Sequence, residues 1–508
     1  MPRIHKGPRL QVWARKQPDR LAIQHVRGDR TFLQLAHRVD ALAHALNSLG
    51  IEPGQRLALL CRHRAEFLEV LLAGEQAGIF VVPIHPDQTV REIEECFRTA
   101  DVSVLILEDA FASHIGPVRG LDELKLVSIG STSLQVLAEY EELVAASEGE
   151  AFTSTQPVSP IFFSSGSTGR PKAVLRLGLA TGPHIEKLVA AAQYDPGRDL
   201  YLQAVQMYLS APYGLGAKMA LSHGVGVRLT EGLEPEQVLA EIAANRASHT
   251  LLSPFWLRRL VALPSEVTEK YDVSSLRMII TGGAPCSVKL KNRVRDLLGS
   301  VLFEYYAGTE GGGTIIGPQE AEAKPGSVGK VEGDCIQITS ESGETCRPGE
   351  VGRILINRHK NTAFTYLGLG AGDRTNPDWH DTGDLGSVDE DGFLFLTGRT
   401  LEIINVRGIK VPAREVEEVL LEHPAVEDVA AFPVSDTLLG EAVGVALVLR
   451  SGNSEDDAMR ATILKHSAEF LAPSKTPVKI IFTTSLPRTL NGKLARANVL
   501  KLMASSAN

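Results

Sequence analysis

The stretch Ile161-Phe162-Phe163-Ser164-Ser165-Gly166-Ser167-Thr168-Gly169-Arg170-Pro171-Lys172 is the densest in chemistry-bearing residues. An apolar run enters a loop of small hydroxyl residues and glycines, and a lysine closes it. Glycine lets a backbone approach a polyphosphate closely. Loop N–H groups and Ser/Thr hydroxyls donate to its oxygens, and lysine adds positive charge. The Walker A order GxxxxGK[ST] is absent, and the lack of GxGxxG weakens a dinucleotide reading. On composition alone, a flexible Ser/Gly connection is an equal alternative.

Five further clusters follow in order. Thr281-Gly282-Gly283-Ala284-Pro285 is a tight turn after the apolar run 277–280. Glu304-Tyr305-Tyr306-Ala307-Gly308-Thr309-Glu310 gathers two carboxylates, two tyrosines and a threonine, and by itself reads as a surface turn. His380-Asp381-Thr382-Gly383-Asp384 and Thr397-Gly398-Arg399 read singly as a turn carboxylate and a surface arginine. Leu486-Pro487-Arg488-Thr489-Leu490-Asn491-Gly492-Lys493 ends in a lysine that, alone, would be a solvated charge.

Taken jointly, these clusters resemble the signatures of the adenylate-forming (ANL) superfamily: acyl-CoA synthetases, nonribosomal adenylation domains and luciferases. The resemblance runs from about Gln17 to Val499, and phrases such as Lys324-Pro325-Gly326-Ser327-Val328-Gly329 read like bacterial acyl-CoA synthetases. It implies ATP, Mg²⁺ and CoA as cofactors. Ser164, Ser165, Gly166, Ser167, Thr168, Gly169 and Lys172 would bind the nucleotide, with Thr168 in the catalytic set. Gly283, Ala284 and Pro285 would border adenine and the acyl group. Glu304, Tyr305, Tyr306 and Ala307 would lie along the nucleotide, with Tyr306 against adenine. Thr309 would contact the α-phosphate. Glu310 would help hold Mg²⁺, because a hard cation takes carboxylate oxygen and shares phosphate oxygens. Ala307 departs from the family's Tyr-Gly, with glycine one place later. Asp384 would accept from the ribose hydroxyls, since a carboxylate offers only acceptors, and Arg399 would add a second ribose contact. Lys493 would bridge the substrate carboxylate and the α-phosphate and stabilise the transition state.

The implied reaction has two halves. A carboxylate attacks the α-phosphate of ATP, giving acyl-AMP and pyrophosphate; a thiol, that of CoA, then attacks the acyl-AMP. The C-terminal domain of the family rotates about a hinge between halves. Leu401 stands at that hinge where relatives carry Asp or Lys, Asn405 where many carry Lys, and Arg407-Gly408 where many have two small residues. These departures keep a second acceptor open: a carrier-protein phosphopantetheine, or an amine. The acyl pocket is outlined by Tyr208, Leu209, Pro212, Phe255, Trp256, Gly283, Gly311 and Gly312. Leu209 stands where relatives often have histidine and cannot hydrogen-bond. Three glycines after Glu310 remove side-chain bulk. A bulky apolar acid is expected: aryl, polycyclic or medium-to-long acyl. A homodimer is common in the family.

The elements that must carry these residues show in the pattern. Helical periodicity over 32–49, 65–77 and 91–99 alternates with apolar runs at 56–61, 79–83 and 102–107, which predicts an α/β fold with parallel-rich sheets covered by helices. After about residue 325, short strands between Gly-rich turns predict an antiparallel β part or barrel to about 398. Residues 400–508 predict a small α+β domain with helices at 416–421 and 461–470 and strands at 426–433 and 442–449. The expected division is 1–399, AMP-binding, and 400–508, a C-terminal lid.

With 508 residues, an apolar fraction of 44% and a charged fraction of 22%, disordered, collagen-like and coiled-coil chains are excluded. A net charge of −9 argues against a dedicated nucleic-acid binder. Five scattered cysteines without CxxC spacing argue against a zinc ribbon or a disulfide framework. No apolar run reaches the roughly 18–20 residues of a membrane span, and the N-terminus lacks a signal-peptide core. A cytoplasmic protein is expected.

Overall fold

The computed structural model describes residues 9–164, 172–176, 182–230, 232–360, 363–368, 376–406, 409–436, 440–488, 493–496 and 498–499. The chain packs as two units. The first takes in the described residues up to Pro325 and those of Asn357–Asp378; the second takes in Gly326–Ile356 and those from Trp379 onward.

Among the described residues, the first unit holds two large sheets. One runs 80–83, 56–60, 104–108, 125–129, 138–139, all parallel. The other runs 311–316, 302–308, 278–282, 249–251, 200–203, 226–229, 21–24, 30–31; its inner strands are parallel and its two edge strands antiparallel. Successive strand residues point to opposite faces, and the cores follow that alternation. Leu57 and Leu59 share a core with Phe67, Val227, Met278 and Ile280. Ala58 and Leu60 pack with Ile93 and Phe97. Leu202 and Ile279 pack with Val238, Leu257 and Val294. The helices Phe32–Ser48 and Ala65–Ala77 therefore lie between the two sheets, and further helices cover the outer faces.

Ala65–Ala77 is buried nearly all round, which its apolar sequence requires. Burying Phe67, Leu68, Val70 and Leu71 contributes roughly 1.5–3 kcal/mol each. Capping boxes start Phe32–Ser48 at Thr31 with Gln34, and Val90–Ala100 at Thr89 with Glu92. The helices and strands expected between residues 32 and 107 form within about two residues of their predicted ends. A smaller antiparallel sheet joins Phe364–Leu367, Lys172–Arg176 and Phe162–Ser164.

The second unit holds an antiparallel sheet in the order 327–330, 393–399, 379–388, 352–357, 336–339. Among the described residues this sheet is open, not a barrel. Ser327–Lys330 and Ile336–Thr339, four residues each, are its edge strands. The C-terminal segment builds a further sheet, 409–412, 403–406, 440–449, 426–436, with 479–482 parallel to 440–449. The helices Ala413–Leu421 and Asp457–Phe470 complete its core through Val416, Leu420 and Ile463. The boundary expected at 399/400 falls inside this unit, where Ala413–Leu421 packs on Phe393–Arg399. Among the described residues no helix is long and apolar enough to cross a membrane.

Candidate active site

Strands 200–203, 249–251, 278–282 and 302–308 lie side by side and run the same way. The segments that leave them therefore emerge on one edge, the edge where parallel sheets bind ligands. Those four segments carry Tyr208, Leu209 and Pro212; Phe255 and Trp256; Gly283, Ala284 and Pro285; and Thr309 and Glu310. Residues as far apart as 208 and 310 are thus gathered by strand order.

Leu302–Gly308 and Gly311–Ile316 form a hairpin with an irregularity between Ala307 and Gly308. Thr309 and Glu310 sit in its turn, half-buried. This is not the free surface turn that the residues alone suggest. Glu304 is buried and ion-paired with Lys291 of the helix Val288–Leu298, so its carboxylate is engaged within the protein. Tyr305 packs on the backbone of Gly282; a Cβ there would lie 2.5 Å from the Tyr305 carbonyl oxygen. Burial raises the Tyr305 phenol pKa above its ordinary value. Gly311, Gly312 and Gly313 all have positive φ, and a Cβ on Gly313 would meet the Tyr306 carbonyl oxygen at 1.8 Å. Backbone geometry, besides space for an acyl group, thus requires glycine at 313.

Ser164 and Lys172 are register partners where the small sheet meets the Ser/Gly loop, and the Ser164 hydroxyl lies 3.5 Å from the Lys172 carbonyl. The Lys172 ammonium lies over the Tyr366 ring, 4.7 Å from its centroid. The Tyr366 hydroxyl donates to Glu310 Oε1 at 2.8 Å. Tyr366 therefore links the lysine of the first motif to the carboxylate of the third. The sequence reading missed it; its signal was the aromatic alternation Phe364-Thr365-Tyr366, a short strand pairing with 172–176. Ser165, Gly166, Ser167, Thr168 and Gly169 lie outside the described residues.

Of the expected acyl residues, Tyr208 is buried, its ring beside His63 and His85 and its hydroxyl donating to the Cys61 carbonyl at 2.7 Å. It acts as packing behind the segment, with its hydroxyl already engaged. Leu209 is half-buried and Pro212 buried. Phe255 and Trp256 meet edge to face at 6.1 Å between ring centroids, both half-buried, with the Arg259 guanidinium over both rings. The histidines behind Tyr208 were also missed. His63 Nε2 accepts from the Met207 N–H at 2.8 Å. Burial first, then the nearby His85 and His25, push its pKa down to about 3.

In the second unit, Asp384 and Arg399 are register partners and form an ion pair at 2.8 Å. The two residues expected at the ribose are thus assembled next to each other. The Asp384 N–H donates to Thr382 Oγ1, whose hydroxyl donates to the Ile354 carbonyl. Leu401 is 70% exposed, in the short turn Thr400–Glu402. Asn405 is exposed, and its N–H donates to Glu441. Arg407 and Gly408 lie outside the described residues. Lys493 is exposed, just before the bridge partner of Arg488, Leu494.

A divalent cation is tested against the donors present. Among the described residues no cluster of three or more His, Cys, Asp or Glu could hold a metal. Glu310 is a single fixed carboxylate, which suits Mg²⁺, an ion that takes one or two carboxylates and completes its shell with phosphate and water.

Residues 10–367 match the family of AMP-binding enzymes, and 415–493 match the C-terminal domain of such enzymes. An indoleacetate–CoA ligase of Aromatoleum aromaticum is 29% identical over 501 residues, covering 96% of each chain. A feruloyl-CoA synthase of an Amycolatopsis species is 29% identical over 492 residues, again covering 96% of each. The solved structure of the amide bond synthetase McbA of Marinactinospora thermotolerans has a TM-score of 0.82 at 28% identity, covering 97% of this chain and 100% of that one. The anthranilate CoA ligase AuaEII shares the fold, with a TM-score of 0.85 at 23% identity and 98% of each chain covered.

Proposed function

The chain belongs to the family of AMP-binding enzymes, and on that premise we propose that it is an AMP-forming acyl-CoA ligase. A carboxylate oxygen of the acid attacks the α-phosphorus of ATP and pyrophosphate leaves. The sulfur of CoA then attacks the acyl carbon and AMP leaves. The observation that carries this reading is the Lys172–Tyr366–Glu310 arrangement beside four adjacent strand ends. It sets a cation for phosphate oxygens next to a carboxylate for a divalent ion.

In this reading Ser164 and Lys172 flank the phosphates, and the loop between them supplies donors through Ser165, Ser167 and Thr168. Tyr366 fixes the carboxylate of Glu310. That carboxylate would hold Mg²⁺, which offsets phosphate charge when bound. Asp384, oriented by Arg399, accepts from the ribose. Lys493 neutralises charge that develops as the carboxylate attacks. Phe255, Trp256 and Leu209 give the acyl end apolar walls, which suits an aryl or other bulky acid; the indoleacetate and feruloyl groups in the relatives' names are of that kind.

The likeness to an amide bond synthetase at 28% identity supports a second reading, with an amine as acceptor. Pyrophosphate release with ATP and Mg²⁺ across a panel of aryl and alkyl acids, with and without CoA, tests both. Acid-dependent release with a CoA thioester seen by mass spectrometry is expected. Release that leaves acyl-AMP unconsumed by CoA but consumed by an amine would replace the acceptor. No acid-dependent release would overturn the reaction.

A further inference from the structure

Arg176 ends the strand Lys172–Arg176 and is only 9% exposed. Among the described residues no hydrogen bond and no ion pair reaches its guanidinium. A buried cation without a partner is strongly disfavoured, so this side chain calls for an anion.

Its surroundings say where that anion would sit. Lys172, Val174 and Arg176 share one face of the strand, while Ala173 and Leu175 enter the apolar core on the other. Phe364 and Tyr366 are the register partners of Arg176 and Val174, so their side chains share that face. Tyr366 reaches Glu310 from it. Two carboxylates, Glu310 and Glu75, act on Arg176 and oppose the lowering of its pKa by burial. Among the described residues neither forms an ion pair with it, and each is engaged elsewhere through its Oε1. Glu310 Oε1 accepts from Tyr366, and Glu75 Oε1 accepts from Tyr213 at 3.0 Å and is ion-paired with Lys218. Tyr213 and Lys218 belong to the segment that carries Leu209 and Pro212. Arg176 thus lies between the acyl segment and the phosphate turn. With Lys218 set against Glu75, Lys172 assigned to the phosphates and Glu310 to a divalent cation, the charge of Arg176 is left over. Leu209 supplies no hydrogen bond there.

We propose that Arg176 binds a carboxylate of the acid substrate, through the paired N–H groups of its guanidinium, at the junction of the acyl and phosphate ends of the site. This rests on the proposed reaction for the identity of the ligand. A planar fork of donors matches a carboxylate two bonds at a time. The same chemistry serves the carboxylate that reacts or a second one on a diacid, and the substrates chosen below separate the two.

The test uses the full chain, Arg176→Met and Arg176→Lys. Kinetics with MgATP are run on indole-3-acetate, ferulate and 1,4-phenylenediacetate, and thermal shift without ATP compares indole-3-acetate and 1,4-phenylenediacetate with their amides. The acids, but not the amides, are expected to raise the melting temperature of the wild type, and Arg176→Met loses that difference. The acid KM is expected to rise at least about tenfold in Arg176→Met and less in Arg176→Lys. The KM for ATP stays within about twofold, and the ligand-free melting temperature is unchanged or higher. A rise for all acids assigns the reacting carboxylate; a rise for the diacid alone assigns a second one. An unchanged KM for every acid, with a lower melting temperature, would make Arg176 a structural counter-charge and overturn the proposal. If the wild type releases no pyrophosphate with any acid, the reaction fails and the thermal shift decides. A carboxylate-specific shift lost in Arg176→Met supports the proposal. No shift, or a shift the variant keeps, overturns it.

Discussion

Replacing Tyr366 by Phe removes one oxygen and keeps the ring beneath Lys172. The hydroxyl donates to Glu310 Oε1 at 2.8 Å. A hydrogen bond to a charged group is worth about 1.5–3 kcal/mol. Both partners are half-buried, so water recovers part of it, and about 1–2 kcal/mol remains, or roughly 5- to 30-fold. If Glu310 holds the metal of MgATP, that loss falls on the metal. The assay is acid-dependent ATP–pyrophosphate exchange as a function of Mg²⁺ at fixed ATP. Tyr366→Phe is expected to need about 5- to 30-fold more Mg²⁺ for half-maximal rate, with the maximal rate less affected. Glu310→Gln is expected to lose more, and adding Tyr366→Phe to it should change little, because the two act through one carboxylate. A Mg²⁺ requirement unaltered by Tyr366→Phe, or additive losses in the double variant, would refute the reasoning.

Lys493→Ala is expected to abolish acyl-AMP formation while pre-made acyl-AMP is still consumed by CoA; equal loss of both half-reactions would remove that role for Lys493. His63 should make the protein acid-labile. Its folded pKa of about 3 lies below its ordinary 6.5, so the unfolded chain binds the extra proton, and the stability is complete above about pH 7 and lost as pH falls toward 3. At pH 5 the loss from this residue is about 2 kcal/mol, and denaturation midpoints across pH 5–8 should flatten in His63→Phe; an identical pH slope in both proteins would count against the buried neutral imidazole. Gly313→Ala must displace the Tyr306 carbonyl at a φ of +145°. It should lower the melting temperature by several degrees and raise the KM for ATP, and a variant matching the wild type in both would show that the hairpin tolerates a side chain there.

Much of the architecture was legible because its signals are local. The helix Ala65–Ala77 shows as an apolar stretch long enough to be a helix, and the strand Arg56–Leu60 as a short apolar run after a turn. Capping at Thr31 and Thr89 follows from residues three apart. Whether the antiparallel strands between 327 and 399 form an open sheet or a barrel was not legible, because closure depends on which strands pair at the edges and no single strand records that. Tyr366 and Arg176 were passed over for a related reason. Each stands in a short strand that looks ordinary until its neighbour across the sheet is known.

The sequence by itself determined the family and the order of chemical groups along the chain: the Ser/Gly/Lys loop, the Tyr-Ala-Gly-Thr-Glu turn, the Asp384–Arg399 pair and the terminal lysine. Motif order is a property of the chain and survives without coordinates. Only the tertiary structure decided which groups meet. It put the ring of Tyr366 between Lys172 and Glu310, engaged Glu304 with Lys291, turned the Tyr208 hydroxyl inward to Cys61, and left Arg176 buried with no ion pair among the described residues. Those outcomes rest on strand order, register and packing, which bring together residues as far apart as Lys172 and Tyr366 and fix the face each side chain takes.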